Sequence, residues 1–182
     1  RILSEKAPDD RIVMVVSAMG DTTDDLIALA GEVVDSPYHY AREMDMLMTT
    51  GEQVSIALLA MAFCSLGHPA ISLTGAMAGM RTDSAHTKGR ILGLEPKRVH
   101  EELNKGNIVV IAGFQGTDAA GNPVTLGRGG SDTSAVAIAG AIGADACEIY
   151  TDVDGIYSAD PRIAKGARRM QEITYNEMLE MA

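Results

Sequence analysis

At 182 residues the chain can bury one substantial core, and a single α/β domain is the first expectation. A hydrophobic content of 46% with 19 glycines excludes a disordered chain. A net charge of −10 argues against nucleic acid or an anionic membrane as partner, while small anions remain open to a few local cations and helix N-termini.

Tryptophan is absent and aromatics make up 4%, so the core is expected to be aliphatic, with 11 methionines filling gaps. No contiguous apolar run reaches the ~18 residues that a membrane span needs. Cys64 and Cys147 sit in apolar sequence without metal-ligand spacing, which predicts buried free thiols and a reducing, cytoplasmic compartment. His39, His68, His86 and His100 form no close pair, and no metal site is expected from them. The chain opens at Arg1 without a methionine and closes inside a helical pattern, so both ends are expected to be cut or unobserved. The opening ten residues are polar and charged and carry no signal-peptide pattern.

In chain order, residues 11–19 (RIVMVVSAM) form a short apolar run suited to a strand buried on both faces. Residues 22–35 then place Leu26, Ile27, Leu29, Ala30, Val33 and Val34 at helical spacing. Residues 44–66 predict a long helical stretch, apolar nearly all round and broken near Gly51. Residues 69–73 are a second strand, 75–93 an irregular glycine-rich segment, and 96–105 a helix stopped by Gly106. Residues 107–114 (NIVVIAGF) are a buried strand, and 115–127 a hairpin around AAGNP. A small-residue helix over 131–142, a last buried strand over 147–151 and a helix from 173 complete the pattern. Such alternation predicts a mostly parallel sheet covered by helices on both faces, without internal repeats or linkers.

Four segments combine residue types that suit chemistry. Residues 127–132 (GRGGSD) open a helix: Gly129 and Gly130 let a ligand approach the backbone, the helix N-terminus attracts an anion, and Arg128 offers a fork for a carboxylate. A plain N-cap at Ser131 with Asp132 in the first turn explains the serine and aspartate, but not the paired glycines or the arginine. Residues 151–162 (TDVDGIYSADPR) follow the last predicted strand, where open α/β sheets bind ligands. There Asp152 could accept from ribose, Tyr157 pack on a base and Arg162 meet phosphates; the alternative is a surface loop with an Asp-Pro turn. A calcium loop fails on the spacing of Gly155 after Asp152 and Asp154. In residues 17–23 (SAMGDTT), hydroxyls and amides could hold a carboxylate, or Thr22 or Thr23 could simply cap the helix. Glu52 could hold an ammonium group, yet Thr49-x-x-Glu52 and Thr50-x-x-Gln53 also fit capping boxes.

Taken in order, VSAMGDTTD, REMDML followed by TGE, AGFQG, LGRGGSDT and YTDVDGIYSADPR resemble the amino-acid kinase family, its aspartate kinase branch in particular, from about residue 11 onward. The resemblance implies a three-layer αβα sandwich that transfers the γ-phosphoryl of ATP to the side-chain carboxylate of L-aspartate with Mg²⁺, the first step of lysine, threonine and methionine biosynthesis. It implies an aspartate pocket of Ser17, Thr23, Glu52, Phe114, Arg128, Gly129, Gly130, Ser131 and Asp132. The nucleotide would lie against Ser17, Ser131, Thr151, Asp152, Tyr157, Asp160 and Arg162. Arg128 would hold the α-carboxylate and Glu52 the ammonium, while Asp132 would orient cations. A homo-oligomer or association with a regulatory subunit is also implied, with feedback inhibition by lysine or threonine in the parent protein.

Two departures stand out. No Lys-x-Gly-Gly occurs, although the family's first strand ends in K-x-G-G-[ST], so the 182 residues are expected to be part of a catalytic domain that does not turn over by itself. Met77 also stands where the family's T-G-x-Q-A-G has glutamine. The nucleophile is a carboxylate, ionised at neutral pH given a reference pKa of ~3.9, so no general base is needed; positioning and charge neutralisation suffice. Glutamate, acetylglutamate or uridylate kinase would share the glycine-rich turn but not the ordered set, and a non-catalytic binding fragment is the alternative from another class. A nicotinamide-binding domain lacks its G-x-G-x-x-G after the first strand.

Overall fold

The computed structural model describes residues 9–127, 129–151, 155–159 and 163–174. They fall into two compact units, Arg1–Cys147 and Glu148–Ala182. The first unit begins with β1 (Val13–Val16), α1 (Thr22–Val33), a 3₁₀ turn (Pro37–Tyr40), α2 (Ala41–Ser65) and β2 (Ala70–Leu73). It continues through β3 (Met80–Thr82), β4 (Ile91–Leu94), α3 (Lys97–Asn104), β5 (Ile108–Ala112), β6 (Gln115–Thr117), β7 (Pro123–Thr125) and α4 (Gly130–Ile142).

Two sheets organise it. A parallel sheet runs β1-β5-β2, and a mixed sheet runs β4-β3-β6-β7, antiparallel except for β3 with β6. All five residues of the central strand β5 are buried, which its unbroken IVVIA sequence anticipates. Its side chains alternate between two cores. Ile108, Val110 and Ala112 meet Ile56, Ala60 and Phe63 of α2. Val109 and Ile111 meet Val99 and Leu103 of α3 and Ile138 of α4. These are the layers of the αβα sandwich that the sequence implied.

Several expectations are corrected. β1 is half-buried throughout, not buried on both faces, because within the described sheet it pairs only with β5. Residues 75–93 are not wholly irregular: they contain β3 and the start of β4, since Arg81–Gly93 pairing gives this polar stretch a ladder. Residues 147–151 are not a strand, and Ile149 and Tyr150 are 47% and 52% exposed; apolar composition alone cannot say whether a covering layer exists. Cys64 and Cys147 are free but exposed, with the Cys64 thiol directed at the Ala70 carbonyl at 3.6 Å.

Helix α2 runs unbroken through Gly51. A Cβ at Gly51 would lie 2.9 Å from Ala18 Cβ, so this glycine serves close packing against the β1–α1 turn and does not end the helix. The stretch Pro37–Ser65 contains 18 consecutive residues with a mean hydropathy of 1.4 and is long and apolar enough to cross a membrane, a length that counting contiguous apolar residues missed. In the fold it packs on β5, β2 and β7 and carries the buried Asp45 and Glu52, as a core helix does. Thr49 and Thr50 lie inside α2 with hydroxyls on the Met46 and Leu47 carbonyls, so neither capping box forms.

Candidate active site

Parallel pairing brings the C-terminal ends of β1, β5 and β2 to one edge, and the predicted segments meet there. The Gly113 amide donates to the Val16 carbonyl at 3.0 Å, which sets Ser17 beside the turn after β5. A Cβ at Gly113 would lie 2.9 Å from Ser131 Oγ, so the start of α4 rests on the same turn. Gly130 is buried, and a Cβ there would lie 2.6 Å from Phe114 Cδ2; only a bare backbone fits beneath that ring. Phe114 itself is held at φ 64°, an uncommon conformation for a bulky residue. Its amide donates to Ser134 Oγ at 3.1 Å and its carbonyl accepts from Leu126 at 2.8 Å.

Neither predicted side-chain cap forms. Gly129, in the left-handed conformation at φ 71°, is the N-cap of α4, and Ser131 falls inside the first turn with exposed Asp132 after it. Asp21 is the N-cap of α1, without a side-chain cap bond, and the Thr22 hydroxyl donates to the Met19 carbonyl at 2.5 Å. Thr23 is half-buried in the first turn of α1. The first turn of α4 therefore presents amides unsatisfied by a capping side chain, a setting suited to an anion.

Glu52 faces the same edge from α2. It is 2% exposed, and its Oε1 accepts from the Ala18 amide at 3.1 Å. Its Oε2 is buried without a hydrogen-bond partner among the described residues. Burial pushes this carboxyl above the ordinary glutamate value, against the opposing pull of its own amide and that of Ala18. A buried carboxylate with an open oxygen invites a cation or ammonium group.

Ser17, Glu52, Phe114, Gly129, Gly130 and Ser131 are thus gathered by the fold, with Thr23 and Asp132 on the adjoining helix starts. Arg128, Asp152, Asp160 and Arg162 lie outside the described residues. Thr151 and Tyr157 belong to the second unit, where Thr151 is exposed and Tyr157 forms an antiparallel bridge with Arg169. Asp45, His86, Gln115 and Thr125 carry no role legible from the motifs. The available signal was the seven-residue spacing of Asp45 and Glu52, which places both acids on one helical face.

Comparison with known proteins decides the family. The profile of the amino acid kinase family matches residues 1–182. The chain belongs to the amino acid kinase family. Within that family it is 53% identical over 182 residues to an aspartokinase of Bacillus sp. (strain MGA3), covering all of this chain and 44% of that one. It therefore spans less than half the length of this curated relative. The structure of aspartate kinase from Synechocystis matches with a TM-score of 0.76 and 51% identity, covering 94% of this chain and 28% of that chain. The structure of E. coli aspartokinase III in complex with aspartate and ADP matches with a TM-score of 0.83 and 27% identity, covering 100% and 51%. The amino acid kinase fold expected from the ordered segments is the fold observed.

Proposed function

We propose that the protein to which these residues belong is an ATP-dependent aspartate kinase, phosphorylating the side-chain carboxylate of L-aspartate at the edge formed by β1, β5 and α4. The observation that carries this reading is Glu52. Its open buried oxygen stands on the same edge as an uncapped helix N-terminus, so one site offers a partner to an ammonium and another to an anion. An amino acid substrate presents both charges. Aspartokinase similarity across the whole chain supports the choice of aspartate, and the E. coli relative was solved with aspartate and ADP.

In this reading Glu52 receives the substrate ammonium and Arg128 the α-carboxylate. Phe114 walls the pocket, and Ser17 and Thr23 offer hydroxyls to the substrate. Phosphate fits the start of α4, where the exposed Gly129 leaves open space beside the backbone and Ser131 adds a hydroxyl. Mg²⁺ supplies charge neutralisation on the nucleotide when bound. Asp132, exposed in the first turn, is available to orient a cation. Thr151, Asp152, Tyr157, Asp160 and Arg162 are proposed for the nucleoside side. The chemistry then requires no proton abstraction, because the acceptor carboxylate is already ionised; fixed positive partners allow the two anions to approach. We assign residues 1–182 to part of one catalytic domain, in a cytoplasmic enzyme of lysine and threonine biosynthesis that assembles as a homo-oligomer or with a regulatory subunit.

The test is ADP release by the full-length protein with Mg-ATP and L-aspartate. Turnover that depends on aspartate, and an Arg128→Ala variant whose aspartate KM rises by about tenfold or more with little change for ATP, is the expected result. Equal ADP release without aspartate, or with L-glutamate in its place, overturns the assignment.

A further inference from the structure

Asp45 is completely buried in α2, two helical turns before Glu52, and takes no part in the site described above. Its Oδ1 accepts from the Thr125 hydroxyl at 2.5 Å and from the Thr87 amide at 3.0 Å. Its Oδ2 lies 2.7 Å from His86 Nδ1 and 3.1 Å from the Thr87 amide. An acid so desolvated is strongly unfavourable unless its oxygens are paired, and here both are. Thr87 is held at φ 66°, an outlier for a β-branched residue, to bring its amide to this carboxylate. A role as inert filling does not account for a strained backbone arranged around one charge.

The partners of Asp45 show what it holds. Thr125 of β7 pairs across the ladder with Gln115 of β6. Gln115 Nε2 donates to the Thr49 carbonyl at 3.1 Å, one turn further along α2. One rung of the hairpin therefore grips two successive turns of α2 on the face that also carries Glu52. On the hairpin side, Gln115 directly follows Phe114, and Thr125 leads to Leu126 and Gly127, shortly before α4 begins at Gly130. Glu52 belongs to α2 and the start of α4 follows the hairpin in sequence, so this grip joins the elements that carry the two ends of the site.

We propose that Asp45 is a positioning residue, which through the Gln115–Thr125 rung fixes the distance between Glu52 and the start of α4 and so sets the affinity for the amino acid substrate. The inference rests on the proposed amino acid kinase reaction for its kinetic consequence, and on geometry alone for its structural one.

Thr125→Val removes the hydroxyl at nearly constant volume, and Thr125→Ser keeps it. In the full-length protein, Thr125→Val is expected to raise the aspartate KM about tenfold, the loss of one buried bond to a charged group, while the ATP KM stays within about twofold. Thr125→Ser is expected to restore the parent value. Hydrogen exchange of the unliganded protein supplies a readout independent of turnover. In Thr125→Val it is expected to quicken at residues 83–90 and 126–133 and stay unchanged at 108–112. An unchanged aspartate KM in Thr125→Val, or parallel rises in both KM values with faster exchange throughout, overturns the inference. Should the parent protein show no aspartate-dependent turnover, the proposed function fails by itself. Exchange then decides the clamp: quickening confined to 83–90 and 126–133 upholds it, and no quickening or a global one overturns it.

Discussion

The amide of Ala18 lies 3.1 Å from Glu52 Oε1, joining the turn after β1 to the middle of α2 across a gap that only glycine at position 51 allows. This contact satisfies one oxygen of a carboxylate that is 2% exposed and leaves the other open among the described residues. Site formation and its energetic cost are therefore tied to the same side chain.

Glu52→Gln should stabilise the unliganded protein at neutral pH. The native carboxyl titrates above the ordinary value of 4.5, so as pH rises the unfolded chain loses this proton first and stability falls through the native pKa. A neutral amide escapes that loss and still accepts from Ala18. The melting temperature at pH 7 should rise by about 2 °C or more, with the difference closing as pH drops below the ordinary value. Calorimetric titration should show weakened aspartate binding in the same variant. A lower melting temperature at pH 7 would contradict the role of burial.

Two helical glycines should respond oppositely to alanine. Gly31 of α1 has open space around a would-be Cβ, so Gly31→Ala should stabilise by ~0.5–1 kcal/mol through backbone entropy. Gly51→Ala places its methyl 2.9 Å from Ala18 Cβ, and the overpacking cost of ~1–3 kcal/mol should cancel or exceed the helical gain. The displaced Ala18 should also loosen its hold on Glu52, so aspartate binding weakens only in Gly51→Ala. Urea denaturation with ligand titration separates the two; equal stabilisation in both variants would sink the packing argument.

The β6–β7 turn should be acid-sensitive through Asp118. Its carboxylate accepts from the Asn122 side chain at 3.1 Å, from the Asn122 amide at 2.8 Å and from the Ala120 amide at 3.0 Å. The Asn122 side chain first, then the backbone amides and nearby His86, hold its carboxyl below the ordinary 3.8 despite opposing burial. As pH falls the unfolded chain takes this proton first, so the contribution is present above the ordinary value and lost through the native pKa. Asp118→Ala should melt lower at neutral pH, with the gap narrowing as pH is taken below 3.8. A gap that is constant with pH would show that the charge is irrelevant to the turn.

The sequence by itself determined the elements whose signals are local. The apolar run of β5, the AAGNP hairpin and the small-residue helix after GRGGSD each specify their own conformation through burial, turn chemistry or propensity. The ordered motifs also fixed the family, because each needs its residue types at fixed spacing. What only tertiary structure decided lies in contacts between distant segments. Gly51 reads as a helix breaker until Ala18 is seen against it, and Cys64 reads as buried until its side of α2 is seen exposed. Glu52 reads equally as a capping-box acid until the helix is found to begin at Ala41 and the Ala18 amide, 34 residues away in sequence, is found on its oxygen. Asp45 gives no local sign of its partners at 86, 87 and 125, because a hydrogen bond across 80 residues leaves no periodicity in the chain that makes it.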